Sequence, residues 1–355
     1  MRGPLTVPLR KFVRFKQRLG FKYTNIERSL KPINRWLAGL GVRSVREVTG
    51  EHLVDWCKLR QGRVSRSTLS HDLVYLRLLF RFLVSRGVVD RDPTLGLPTI
   101  RLPQYLPFVF SVEQVRALLT EGIKVFRKSW TQLRNYVFFH LLYATGMRLS
   151  EALNLKIGDL DLTRCVLHIR RAKFHKTRLI PFGPRVLDNL RRLLFSRAWR
   201  RDHRKPPLPV PPLAQTDAYG GRPPVVFKET QLLKRDARRY LFSSPTTYRR
   251  CTIWAAEHAF RRMRQRTGLL IPRRDVGSRV YGQPRIHCLR HAFAVHRLLK
   301  WYREGQDVNH KLLLLSTYMG HSQVAFTQVY LNFYDTVLAE AGRQFGDFLD
   351  REGAR

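Results

Sequence analysis

The chain has 355 residues, 44% of them apolar, which is enough for two domains with a sizeable core and excludes a disordered tail. Its 66 lysines and arginines outnumber 26 acidic residues, a net charge of +40 that runs through predicted helices and is not kept to one end. A folded body with that field repels itself unless it meets a polyanion, so nucleic acid is the expected partner, bound with steep salt dependence.

A membrane is the weaker alternative, because no stretch approaches the roughly 20 consecutive apolar residues of a spanning helix. The first residues lack the apolar run of a secretion signal. Four cysteines, Cys57, Cys165, Cys251 and Cys288, are scattered with no Cys-x-x-Cys pair, which indicates neither a disulfide framework nor a zinc site and fits a reducing cytoplasm.

Residues 1–96 read as helices only. Thr24 with Glu27 forms a possible capping box for a helix toward Leu40, stopped by Gly41. Thr49 precedes a short helix through Lys58. Leu69, Leu73, Leu76, Leu79, Phe80 and Leu83 make one apolar stripe at helical spacing. Arg77 and Arg81 fall on the other side, either as a solvated face or as a track for a phosphate backbone. Prolines 93, 98, 103 and 107 mark a linker, placed at 97–110, and a second domain follows at 111–355.

Ser111 with Gln114 predicts another capped helix, through Leu119. A strongly apolar helix over 131–145 breaks at Thr145-Gly146, and Arg148 follows at once. An arginine in so apolar a setting needs an anion, either Glu151 or a ligand phosphate. Runs at 165–170 and 178–182 predict a β-hairpin whose connection holds Lys173 and Lys176, with a third strand expected at Tyr240–Phe242. Helices are expected at 185–198 and 252–267. Between them, residues 199–238 are basic and carry seven prolines, which predicts an irregular insertion. A last amphipathic helix is expected over about 335–350.

The densest polar cluster lies near the C-terminus. His287 and Arg290 are three apart and would share a helix face. Met319-Gly320-His321 follows, and Tyr330 comes nine residues after His321. No Gly-rich phosphate loop and no Asp/Glu metal cluster appears, so neither an ATPase nor a two-metal nuclease is supported.

Five motifs now stand in order: Ala144-Thr145-Gly146-Met147-Arg148, the lysine segment Ala172–Arg178, His287-Cys288-Leu289-Arg290-His291, Met319-Gly320-His321, and Tyr330. Together they resemble the tyrosine recombinases, or phage integrase family, of Xer-like type. The family's hairpin often reads Gly-Lys-Gly, where this chain has Ala172 and Phe174 around Lys173.

The resemblance implies a mainly α fold with a small antiparallel β-sheet: an N-terminal helical core-binding domain followed by a catalytic domain. It implies strand cleavage by Tyr330 through a 3′-phosphotyrosyl link, with neither ATP nor metal nor any other cofactor. Arg148 and Arg290 would hold the nonbridging oxygens, His287 would help take the tyrosine proton or bind the phosphate, His321 would donate a further hydrogen bond, and Lys173 (by alignment, over Lys176) would protonate the leaving oxygen. Glu151 and His291 would orient these groups. The implied partner is double-stranded DNA with inverted-repeat core sites, held by a tetramer in a bacterial cytoplasm at the nucleoid. A strand-relaxing enzyme of type IB topoisomerase kind, or a non-catalytic DNA binder of the same fold, are the alternatives.

Overall fold

The computed structural model describes residues 3–21, 23, 25–170, 177–203, 237–244, 249–276 and 279–332. The chain divides into two compact units, Met1–Gln104 and Tyr105–Arg355. Among the described residues the fold is mostly helical with small antiparallel sheets, and no helix is long and apolar enough to cross a membrane.

The first unit is built from α1 (Thr6–Arg18), α2 (Ile26–Gly39), α3 (Gly50–Arg60) and α4 (Arg66–Ser85). Its core follows from spacing alone. Leu5, Leu9, Phe12 and Val13 face inward, as do Ile26, Leu30, Ile33 and Leu37 on α2, against Leu73, Leu76, Phe80 and Leu83 on α4. Helix starts are set by side chains. Ser65 Oγ accepts from the Thr68 N–H at 3.1 Å, and Thr49 and His52 form a reciprocal capping box on α3. Helix α2 begins at Ile26, and Thr24 lies outside the described residues. Gly41, with φ of +83°, follows its end in the left-handed conformation that glycine adopts without strain. Arg77 donates from Nη2 to the Leu97 and Pro98 carbonyls at 2.8 and 3.1 Å, so it ties down the segment after α4, whereas Arg81 is exposed.

The second unit is organised around a buried apolar helix, α6 (Ser129–Thr145), reached after α5 (Val112–Thr120). Tyr136, Val137, Phe138, Phe139, Leu141 and Leu142 are all buried, so α6 has no solvent face. It packs against α8 (Pro184–His203) and α10 (His287–Arg303). Helices α7 (Leu149–Asn154) and α9 (Ile253–Arg266) flank it, and α11 (Val308–Met319) and α12 (Ala325–Asn332) close the described chain. The helix expected near 335–350 lies outside the described residues. So does most of the 199–238 segment, although α8 carries regular structure through His203.

One sheet has the order β2 (Leu160–Asp161), β3 (Val166–Ile169), β4 (Arg178–Pro181), all antiparallel, with Ile169 opposite Arg178. The third strand is therefore Leu160–Asp161 and not Tyr240–Phe242. Leu241 and Phe242 are consecutive and both buried, but they form no ladder with the sheet. Their segment is held by isolated bridges, Tyr240 with Lys156 and Ser243 with Arg250; the Leu241 N–H donates to the Leu155 carbonyl and the Phe242 carbonyl accepts from the Cys251 N–H. A second sheet, unforeseen from the sequence, runs in the order β1 (Gln104–Leu106), β6 (Arg279–Tyr281), β5 (Arg274–Val276).

Gly146 ends α6 at φ +58°, and a Cβ there would run into the Phe293 ring. Gly146→Ala therefore meets both a left-handed backbone and an overpacked ring. It is expected to cost on the order of 2–5 kcal/mol, read as a lowered denaturant midpoint; an unchanged midpoint would contradict this packing.

Candidate active site

Arg148 is the N-cap residue of α7, and Glu151 is the third residue of that helix. Glu151 Oε2 accepts from the Arg148 backbone N–H at 2.9 Å, the reach-back half of a capping box. Its Oε1 accepts from Arg148 Nη1 at 3.0 Å. One carboxylate thus starts the helix and orients the guanidinium. The anion foreseen for Arg148 is, within the protein, Glu151.

Two helix ends hold the arginines. Helix α6 stops at Gly146 and α11 at Gly320, both left-handed glycines. Arg148 Nη2 donates to the Gly320 carbonyl. Arg290 Nη1 donates to the Gly146 carbonyl and, at 2.9 Å, to the Met319 carbonyl. The arginine after the first glycine thus grips the second, and the arginine on α10 grips the first. Carbonyls at helix C-termini carry partial negative charge, which suits guanidinium donors.

Arg290 is only 3% exposed, and its Nη2 is buried with no acceptor among the described residues. Leaving such a donor unpaired is costly, and the charge more so. Burial, and then the charge of Arg148, pull this guanidinium down to about 10, still protonated at neutral pH. The protein therefore keeps a cationic donor with unspent hydrogen-bonding capacity beside a second arginine.

Tyr330, on α12, is 3% exposed, and its hydroxyl shares a 2.8 Å hydrogen bond with His291 Nδ1. Burial pushes the phenol up to about 12, against a smaller opposing pull from Arg290. His291 stacks edge-on to His287 on the same face of α10, at a centroid distance of 4.8 Å. His321 lies in the turn after Gly320, its Nδ1 bonded to the fully buried Thr327 hydroxyl at 2.7 Å. This engages one ring nitrogen and leaves Nε2 for a ligand.

The histidines are neutral at pH 7. Burial, followed by His287, Arg290 and His321, lowers His291 to about 3, and burial followed by Arg290, Arg148, His287 and Arg178 lowers His321 to about 3. His287, although exposed, is shifted the same way by desolvation and then by Arg290 and Arg148. Depressed histidines favour the folded state fully above an unfolded value near 6.5 and lose that stability as pH falls toward 3, because the unfolded chain then binds more protons. The thermal midpoint is expected to drop between pH 7.5 and 5, and His321→Gln should flatten the drop. An equally steep fall in that variant would remove His321 from the buried cluster.

The structure therefore brings together Arg148, Glu151, His287, Arg290, His291, His321 and Tyr330. Lys173 and Lys176 lie outside the described residues, and Arg77 and Arg81 belong to the first unit. Sequence reasoning missed Arg178, which stands at the start of β4. Its Nη1 and Nη2 donate to the two Glu151 oxygens at 3.0 and 2.8 Å, and its Nε to the Tyr318 carbonyl at 3.0 Å. Burial alone would raise the Glu151 carboxyl, but Arg178 and then Arg148 together hold it below its usual value. Three guanidiniums against one carboxylate, 3 − 1, leave a net +2 around neutral imidazoles. Among the described residues no group of three or more His, Cys, Asp or Glu is placed to hold a metal ion.

The profile of the phage integrase family matches residues 109–336, and the chain belongs to that family of tyrosine recombinases. It is 29% identical over 340 residues to a putative integrase/recombinase, y4rB, of Sinorhizobium fredii, with 95% of each chain covered. It is also 29% identical to the tyrosine recombinase XerD of Pseudomonas aeruginosa, over 85% of this chain and 83% of that one. Among solved structures, a Tn1549 transposon integrase with circular intermediate DNA shares the fold at a TM-score of 0.59 and 17% identity, over 95% of this chain and 99% of that one. XerH bound to a palindromic difH substrate does so at 0.56 and 20%, over 84% and 73%.

Proposed function

We propose that this recombinase cleaves and rejoins DNA strands with Tyr330 as the nucleophile. The supporting observation is the buried, unpaired Nη2 of Arg290 next to Arg148, a donor array that asks for a phosphate. Tyr330 Oη forms a bond to phosphorus while the bond from phosphorus to the 5′ oxygen breaks, giving a 3′-phosphotyrosyl ester and a 5′-hydroxyl. The phenolic proton leaves during attack to a neutral imidazole whose basicity the anionic phosphate raises; His291 Nδ1 stands at 2.8 Å. Lys173 supplies the proton to the departing oxygen. Arg148, Arg290, His287 and His321 hold the nonbridging oxygens, and the net +2 offsets the two negative charges of a phosphorane. Attack by a 5′-hydroxyl from another duplex then completes exchange.

The substrate proposed is double-stranded DNA with inverted-repeat core sites, engaged by a tetramer at the nucleoid in a bacterial cytoplasm. The palindromic substrate of XerH and the DNA-bound Tn1549 integrase support this choice. The test is selection. A pool of nicked duplexes with randomised inverted repeats is incubated with the protein, and strands that stay attached in detergent are sequenced. A shared repeat is expected. Failure of the wild-type protein to retain any strand would contradict the proposal and leave a non-catalytic binder.

A further inference from the structure

Arg178 spends its whole guanidinium on one junction. Two nitrogens bind the buried Glu151 carboxylate and the third binds the last turn of α11 at the Tyr318 carbonyl. The group packs against Gly320, where an added Cβ would come within 2.7 Å of its Cζ. The Gly320 peptide is therefore held on one side by Arg178 and at its carbonyl by Arg148, and the next residue is His321. Arg178 is 12% exposed at its side chain and opens β4, paired with Ile169 of β3, so the sheet is fastened to the same point.

We infer that Arg178 is a positioning residue: it fixes Arg148, through Glu151, and His321, through Gly320, in one arrangement for the scissile phosphate. This rests on the proposed cleavage reaction. Charge alone does not supply it, because only a planar fork with three donors in fixed directions makes these bonds together. Lysine keeps the charge and loses the geometry.

The test measures adduct formation by Arg178→Lys and Arg178→Gln on the selected nicked site, with DNA affinity and thermal midpoint measured alongside. Both variants are expected to bind DNA within about twofold of wild type and to lose adduct rate on the order of 10²-fold, the size of a misplaced transition-state donor. A bridging 5′-phosphorothiolate, whose sulfur leaves without a proton, separates two routes. If Arg178 acts on the phosphate clamp, the sulfur substrate does not restore the rate, whereas it restores a Lys173→Ala control. Near-wild-type rates in both variants, or rescue by sulfur, would overturn the assignment while leaving wild-type cleavage intact. A rate loss matched by an equal loss of DNA affinity would overturn it too, as general structural damage.

Discussion

Tyr330→Phe is expected to leave no covalent protein–DNA species while DNA affinity stays near that of the wild type. The side chain is buried and its ring is part of the small core formed by Phe293, Leu298, Leu312, Leu315 and Met319. Phenylalanine preserves that packing. The hydroxyl's hydrogen bond to His291 is lost, which costs about 1 kcal/mol for a neutral pair. The fold should therefore survive and the proposed nucleophile should not. Because burial pushes the phenol up to about 12, phenolate is scarce at neutral pH and the proton must leave during attack. The measurement is a gel of detergent-resistant adduct on the nicked site; an adduct of normal yield from the variant would remove Tyr330 from the chemistry.

Arg290→Lys is the second large effect expected. The arginine uses Nη1 on two helix-end carbonyls and keeps Nη2 for a ligand. A lysine ammonium is one point with one reach and cannot serve both carbonyls and a phosphate in those directions. Adduct formation should fall on the order of 10²–10³-fold, with the overall charge unchanged. A buried charge that lacks a full set of partners does not stabilise a fold, so the loss should appear in rate far more than in thermal midpoint. A matching collapse of stability would show that Arg290 is there to hold the helix ends and nothing more.

Much of this was legible in the sequence because the features are local. The stripe of leucines on α4, the helix start at Thr49, the capping box at Ser111 and the stop at Gly146 each follow from a few neighbouring residues. The residues of the proposed site were legible as motifs, since Arg148, His287, Arg290, His321 and Tyr330 stand in a recognisable order. Arg178 was not, because an arginine opening a β-strand looks like surface decoration until Glu151 and Tyr318 are brought to it across the fold. Thr327 was hidden for the same reason. The strand at Leu160–Asp161 is too short to show alternation, and its pairing depends on the nearby turn in which Asp161 accepts from the Arg164 N–H. The β5–β6 pair is rich in arginine and lacks an apolar face, although Gly277-Ser278 between its strands is a hairpin signal.

The proposed reaction requires an ester between Tyr330 and a 3′ phosphate. Nuclease digestion of the trapped adduct, followed by mass mapping of the protein, tests it most directly. The expected result is a nucleotide remnant on Tyr330 and a 5′-hydroxyl on the released strand. A remnant on any other side chain, or a 5′-phosphate on the released strand, would contradict it.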